Sequence, residues 1–503
     1  MNRKGDDFFN EEIERSAIKV HAVRGAFATV GSRVFIFGLQ MAGTIILARL
    51  LTPADFGLVA MVTVITNILV EFGMFRLGDA TIQEKDLTHE MVSNLFWVNT
   101  AMSALLFALL ILAAPLISRF YKEPRIVTII VFIACTFIFH GISVQPIALL
   151  QRKMMFGRFA AIQMAAVITA DLIAIVGAFK GIGYWAIVLR RSLAPVFISL
   201  LAIALCGWRP GFYTKKVKIG HMVRFGLNSL GNYTMNYLSR NSDKFLIGWK
   251  HGAVPLGFYD RAYHLFVLPV NQLTYPLTNV AVSTLSKLRG EPSEFNRYYE
   301  KALRIMAFMG MGISGVLTLA GKDIIVFLLG DQWISAGEIF TILGPSVGVL
   351  LIYGTHGWIH LSLGHADRWF RWGVGAFFYH LCAFVIGLPF GARGIAMAYT
   401  ISLFIIMFPS LWYALLPLGK EMRFRTILTD CSKTLVAFWI ALALSYLIML
   451  GLPADFTPPL FLDIPLKGVI YSSCYFLVFL LIPGSRQVFR ESFELVRTLT
   501  RKR

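Results

Sequence analysis

The sequence predicts an all-α polytopic membrane protein that crosses the bilayer about fourteen times. Three observations carry that expectation: the composition, the length of the apolar runs, and the alternation of charge between connections. Of 503 residues, 57% are hydrophobic and only 15% are charged, against roughly 25% charged in soluble domains. Mean hydropathy is +0.67, and Leu, Ile, Phe and Ala gather into runs of about 20 residues, enough to cross a ~30 Å hydrocarbon layer as helices. A soluble enzyme is excluded. The net charge of +19 fits loops facing anionic lipid better than nucleic-acid binding.

The expected segments are, in order, Ala26–Leu51, Gly57–Gly78, Glu90–Ser118, Arg125–Leu149, Gly157–Phe179, Tyr184–Cys206, Ile219–Gly248, Gly257–Leu285, Tyr298–Ala320, Trp333–Leu363, Ala366–Leu388, Gly394–Leu416, Thr426–Leu450 and Ile464–Ile482. Each is apolar over a bilayer's thickness and is bounded by Gly, Pro or charged residues. Basic residues are retained on the cytoplasmic side. One set of alternate connections, with both termini, holds 29 Lys and Arg; the other holds only Arg119, Lys122, Arg125, Lys180, Lys250, Lys322 and Arg393. Both termini are therefore expected to be cytoplasmic. A missed helix would scramble the alternation.

Ahead of the first segment, Phe9, Ile13, Ala17 and Val20 recur at helical spacing, which predicts a cytoplasmic amphipathic segment over residues 1–25. It lacks the apolar centre of a cleaved signal, so the first helix is expected to remain in the mature protein. Five dispersed cysteines without a CxxC offer neither a disulfide framework nor a zinc site. No Walker sequence or GxSxG occurs, and the connections are short, so chemistry, if any, must lie within the helices.

Gly31 and Gly57 recur as Gly231 and Gly257, and each pair flanks a polar-striped helix that leads through a short turn (LTPADFGLV, HGAVPLGFY) into the next. A body of two lobes is consistent with this repeat: 26–206 as the N-lobe, 207–218 as a cytoplasmic linker, 219–417 as the C-lobe, then two helices over 418–483 and a basic tail over 484–503. Shared turn chemistry alone would also give two matched glycines.

Charges inside apolar segments are the next signal. Arg49, Arg224, Lys433 and Lys467 lie near segment ends and can snorkel to the headgroups. Arg33, Arg190, Arg191, Arg240 and Lys244 lie deeper, where a charge costs about 2.5–3.5 kcal/mol and normally faces protein or water. In segment 7, Asn228, Asn232 and Asn236 step along one face to Arg240, Asp243 and Lys244. Thr29, Arg33, Gln40 and Thr44, then Asn67 and Glu71, then Asp260, His264 and Asn271 stripe segments 1, 2 and 8. One such stripe would be helix–helix glue; four suggest a shared aqueous cavity. Its basic excess suits an anionic headgroup such as a diphosphate, because guanidinium forks match phosphate oxygens. Glu71 and Asp171 are candidates for coupling to H⁺ or Na⁺, or for balancing a neighbouring Arg. His356 and His360 have metal-like spacing but nothing completes a ligand set, so no metal is expected. Trp369, Phe370 and Trp372 beside Arg368 and Arg371 look like an interfacial belt.

The stretches LLTPADFGLVAM at 50–61, LGFYDRAYHLFVLP at 256–269 and the following YPLTNVAVSTLSKL resemble the signature regions of Wzx-type polysaccharide repeat-unit flippases, of the multidrug/oligosaccharidyl-lipid/polysaccharide exporter superfamily. That resemblance, with the segment count, spans nearly the whole chain. It implies two six-helix lobes around a central cavity plus two helices. It also implies transport of undecaprenyl-diphosphate-linked oligosaccharides across the bacterial inner membrane by alternating access, alongside a polysaccharide polymerase and chain-length machinery. Of the motif residues only Arg261 is carried over, as a cavity-lining position. No nucleic acid, catalytic residue or organic cofactor is expected. The competing readings are a cation-coupled multidrug antiporter, which the basic excess disfavours, and a membrane-embedded glycan-processing enzyme.

Overall fold

The computed structural model describes residues 15–74, 77–215, 217, 219–421, 424–453 and 458–483. Side chains at 15–30, 70–74, 221, 224–236, 239, 275 and 419–421 are outside that description. The expected amphipathic segment before residue 15 and the tail over 484–503 lie outside the described residues as well.

All regular elements among the described residues are helical. In chain order they are α1 (Arg15–Leu50), α2 (Pro53–Met74), α3 (Leu77–Gln83), α4 (His89–Tyr121), α5 (Arg125–Arg152), α6 (Phe156–Phe179), α7 (Trp185–Cys206), α8 (Gly220–His251), α9 (Ala253–Lys287), α10 (Pro292–Leu319), α11 (Gly321–Leu329), α12 (Ile334–Leu343), α13 (Ser346–Ser362), α14 (Ala366–Gly387), α15 (Gly391–Leu415), α16 (Phe424–Leu450) and α17 (Leu460–Leu481), with three short 3-10 turns.

Nine helical stretches among the described residues are long and apolar enough to cross a membrane, or ten if α12 and α13 with the turn before them, bent by 50°, form one broken span. Fourteen segments were expected. One of the nine covers 53 residues, Ala366–Leu418, which as a straight helix would run roughly 80 Å. It is instead two helices, α14 and α15, that fold back on each other at the 3-10 turn Leu388–Phe390. The polar-striped helices α8 and α9 are not among the nine. The chain is a multi-pass membrane protein.

Local chemistry sets the boundaries. Thr88 caps α4, accepting the Met91 amide at 3.2 Å, and Lys122 ends it in the left-handed conformation at φ 55°, its amide turned back to Ser118 and Arg119. The return into α5 is clamped by Glu123, which accepts from Arg125 Nε at 2.8 Å and Nη2 at 2.9 Å. That bond holds the Glu123 carboxyl below its ordinary range. Arg152, at the end of α5, donates to the carbonyls of Thr81 and Ile82 at 3.0 and 3.2 Å, and to that of Glu84. It thereby satisfies the otherwise unpaired carbonyl end of α3.

The chain forms two compact units, Met1–Gly257 and Phe258–Arg503. In the first, α4 packs on α5, α5 on α7, α6 on α7 and α1, and α8 on α2 and α3. After Gly207, at φ 75°, the segment leading to α8 is strapped onto α4. Trp97 Nε1 donates to Gly211 O at 2.8 Å, Ser93 Oγ accepts from the Gly211 amide at 2.9 Å, and Asn94 pairs with both the amide and the carbonyl of Thr214 at 2.9 and 2.7 Å. In the second unit α10 is the hub, meeting α13, α16 and α17, while α15 packs on α13 and α14.

Candidate functional site

The repeated turns noticed in the sequence meet in space. A Cβ on Gly57 would lie 1.7 Å from the Ala253 carbonyl oxygen, and one on Gly257 would lie 1.9 Å from that of Pro53. The first turns of α2 and α9 therefore touch backbone to backbone, each glycine against the other's turn. Such reciprocity is what a local two-fold relation produces.

Arg190 on α7 is the best-defined intramembrane cation. Its Nε donates to Asp171 Oδ1 at 2.5 Å and its Nη2 to Oδ2 at 3.3 Å. From the same guanidinium, Nη1 donates to Thr44 Oγ1 and Nη2 to the Gln40 carbonyl, both at 2.9 Å. One residue thus ties α1, α6 and α7. The pair is mostly withdrawn from solvent, with side chains 18% and 11% exposed. Arg190, expected to contact an anion, and Asp171, expected to couple an ion, are each other's partners.

The remaining cations divide into two kinds. Arg261 holds Asp260 at 2.5 Å, and Lys244 follows the buried Asp243, whose carboxylate accepts the Lys244 backbone amide at 2.7 Å. Arg33, Arg191 and Arg240 are exposed. Among the described residues Arg33 and Arg240 have no carboxylate within ion-pair range, although both sit well inside their helices. The side chains of Glu71, Asn228, Asn232 and Asn236 lie outside the described residues; the helix that carries the asparagines is joined to α2 by Tyr237, whose hydroxyl donates to the Val64 carbonyl at 2.8 Å.

Lys467 departs from the snorkelling expected of it. Its ammonium lies between Asp323 and Asp463, 2.6 Å from each, and joins α17 to α11. His356 and His360 are buried ring against ring in the second unit, and no group of three potential metal ligands occurs among the described residues. Beside them Trp372 stacks on Tyr413 at 5.2 Å, and Arg368 lies 4.5 Å above the same ring. Tyr413 had no signal in the sequence, because its role depends on α15 folding back on α14.

Residues 46–338 match the polysaccharide biosynthesis protein family. The chain belongs to that family. Among relatives, it is 27% identical to the teichuronic acid biosynthesis protein TuaB of Bacillus subtilis (strain 168) over 332 residues, which is 62% of this chain and 65% of TuaB. The match thus spans just under two thirds of that relative's length. The lipopolysaccharide biosynthesis protein WzxC of Escherichia coli (strain K12) is 22% identical over 391 residues, 76% of this chain and 78% of WzxC. The resemblance to Wzx-type proteins is borne out by this membership. The fold is similar to that of the lipid II flippase MurJ in its inward closed conformation, with a TM-score of 0.70 at 15% identity over 91% of this polysaccharide biosynthesis protein and 98% of MurJ.

Proposed function

We propose that this member of the family is a flippase for polyprenyl-diphosphate-linked oligosaccharide repeat units, acting by alternating access in a bacterial inner membrane with both termini cytoplasmic. The observation that carries the reading is the pair Arg33 and Arg240, exposed within helices α1 and α8 and without a carboxylate partner among the described residues. A guanidinium facing hydrocarbon there would cost about 2.5–3.5 kcal/mol, whereas one facing water and a diphosphate gains paired, charge-assisted hydrogen bonds. Family membership supports a polysaccharide precursor as cargo, and the MurJ-like fold supports transport. Arg191, Lys244 and the asparagines of α8 complete the proposed polar path of the first unit, with Glu71 and the Asp171–Arg190 pair as the places where an H⁺ or Na⁺ gradient would act, and Arg261 is a separate candidate contact in the second unit.

The test is a leaflet-resolved assay in proteoliposomes loaded with a defined polyprenyl-diphosphate oligosaccharide. The protein should move the lipid unaltered to the opposite leaflet, and Arg33→Gln/Arg240→Gln should slow this at least tenfold while inserting normally, the equivalent of about 1.4 kcal/mol lost. Equal flipping by the double variant would remove the cationic path. A chemically altered product would make the chain an enzyme.

A further inference from the structure

We propose that the cleft between α14 and α15 binds one anionic glycerophospholipid, with its phosphate at Arg371 and an acyl chain along Gly375, Ile405 and Pro409. The cleft has a volume of about 390 Å³ and two chemically distinct ends, within the ~300–1,000 Å³ usual for small-molecule sites. One end is Arg371, Trp372 and Tyr413; the rest of the lining is almost entirely apolar. That division matches a charged headgroup joined to a hydrocarbon chain.

The charge argues for an anion. The first turns of α14 carry Arg368 and Arg371 against the single carboxylate of Asp367. Arg371 reaches Asp367 with Nη2 alone, out of five N–H donors on a guanidinium. Arg368 donates Nη2 to the Tyr413 carbonyl at 3.0 Å, and its buried Nε has no partner among the described residues. Trp372 and Tyr413 stack beside these cations, as aromatic residues do at the headgroup level. On the orientation given by the loop charges, this is the cytoplasmic leaflet, where anionic lipids attract basic residues. The apolar stretch is open to that leaflet, since Ile405 is 57% exposed.

Two glycines of α14 separate filling the cleft from damaging the helix. Added Cβ atoms at Gly373 and at Gly375 would each meet nothing within 4 Å, yet only Gly375 lines the cleft. Leucine at either position is a better helix former than glycine. The experiment is native mass spectrometry of the delipidated full chain, titrated with phosphatidylglycerol, with phosphatidylcholine of the same acyl chains, and with undecaprenyl phosphate. Wild type and Gly373→Leu should retain one phosphatidylglycerol in preference to phosphatidylcholine. Gly375→Leu should lose that bound lipid. Arg371→Gln should bind it roughly fivefold more weakly, the effect of one surface cation on an anionic lipid. Equal retention of both phospholipids by wild type, unchanged binding by Gly375→Leu, or preferential capture of undecaprenyl phosphate would overturn the proposal. Should Gly375→Leu fail to elute as folded protein, the wild-type preference and Arg371→Gln decide the matter.

Discussion

Arg190 and Asp171 show how a residue's type can be legible while its commitment is not. Sequence position says only that each is a charge within an apolar run; their contact joins helices α6 and α7 with α1, which no local pattern encodes. Removing one partner strands the other, so Asp171→Asn should lower stability by about 3–5 kcal/mol, seen as a fall in the thermal midpoint of the purified protein. The double variant Asp171→Leu/Arg190→Met replaces the pair by apolar groups of comparable bulk and should recover most of that loss. If the pair couples transport to a gradient, the double variant will be stable and idle; full flipping activity would make the pair purely structural. Lys467 teaches the same lesson. Its place near a segment end suggested a lipid-facing ammonium, but Asp323 on a helix 144 residues away claims it, and Lys467→Met should bring two carboxylates into unscreened proximity and loosen α17 from α11.

Helices were legible where the apolar run is long and local. The boundaries of α4 to α7 and of α14 to α17 fall within a few residues of those expected, because Gly, Pro and charged residues punctuate them. Two elements escaped notice: α3 and α11, of 7 and 9 residues, are too short to impose a period. A third was misread as continuous. The run Trp333–Leu363 carries a single carboxylate, Glu338, and only the Gly344–Pro345 pair, at the break between α12 and α13, marks the 50° bend. At the start of α2 the matched glycines were visible as a repeat, yet their mutual contact was not. Gly57→Ala or Gly257→Ala must push the two backbones apart and should cost at least the 1–3 kcal/mol typical of overpacking, whereas Gly38→Ala, with nothing within 4 Å, should be neutral or better. In the α4–α5 turn, the Glu123 carboxyl is held low by Arg125. Its contribution to stability is therefore complete above the ordinary glutamate range near 4.5 and disappears as pH falls through the lowered value. The thermal midpoints of wild type and Glu123→Gln should accordingly converge in acid.

For the molecule as a whole, composition and loop charge sufficed to predict a helical multi-pass protein, and the motif stretches at Leu50–Met61 and Leu256–Pro269 were enough to indicate the family. The candidate path was legible only as an inventory of misplaced cations, since exposure and pairing depend on how distant helices meet. A gradient-driven flippase carries one further expectation: collapsing H⁺ and Na⁺ gradients in the proteoliposomes should slow net translocation, and indifference to both would leave the cargo's own concentration difference as the driving force. The segment after Gly207 carries a last consequence. Its sequence, with glycines and several bases, predicts only a cytoplasmic linker, yet His89, Ser93, Asn94 and Trp97 staple it along α4. A stapled leash stores no spare length, so chymotrypsin should nick the chain after the exposed Phe212 slowly until Asn94→Ala and Trp97→Phe pull the staples out.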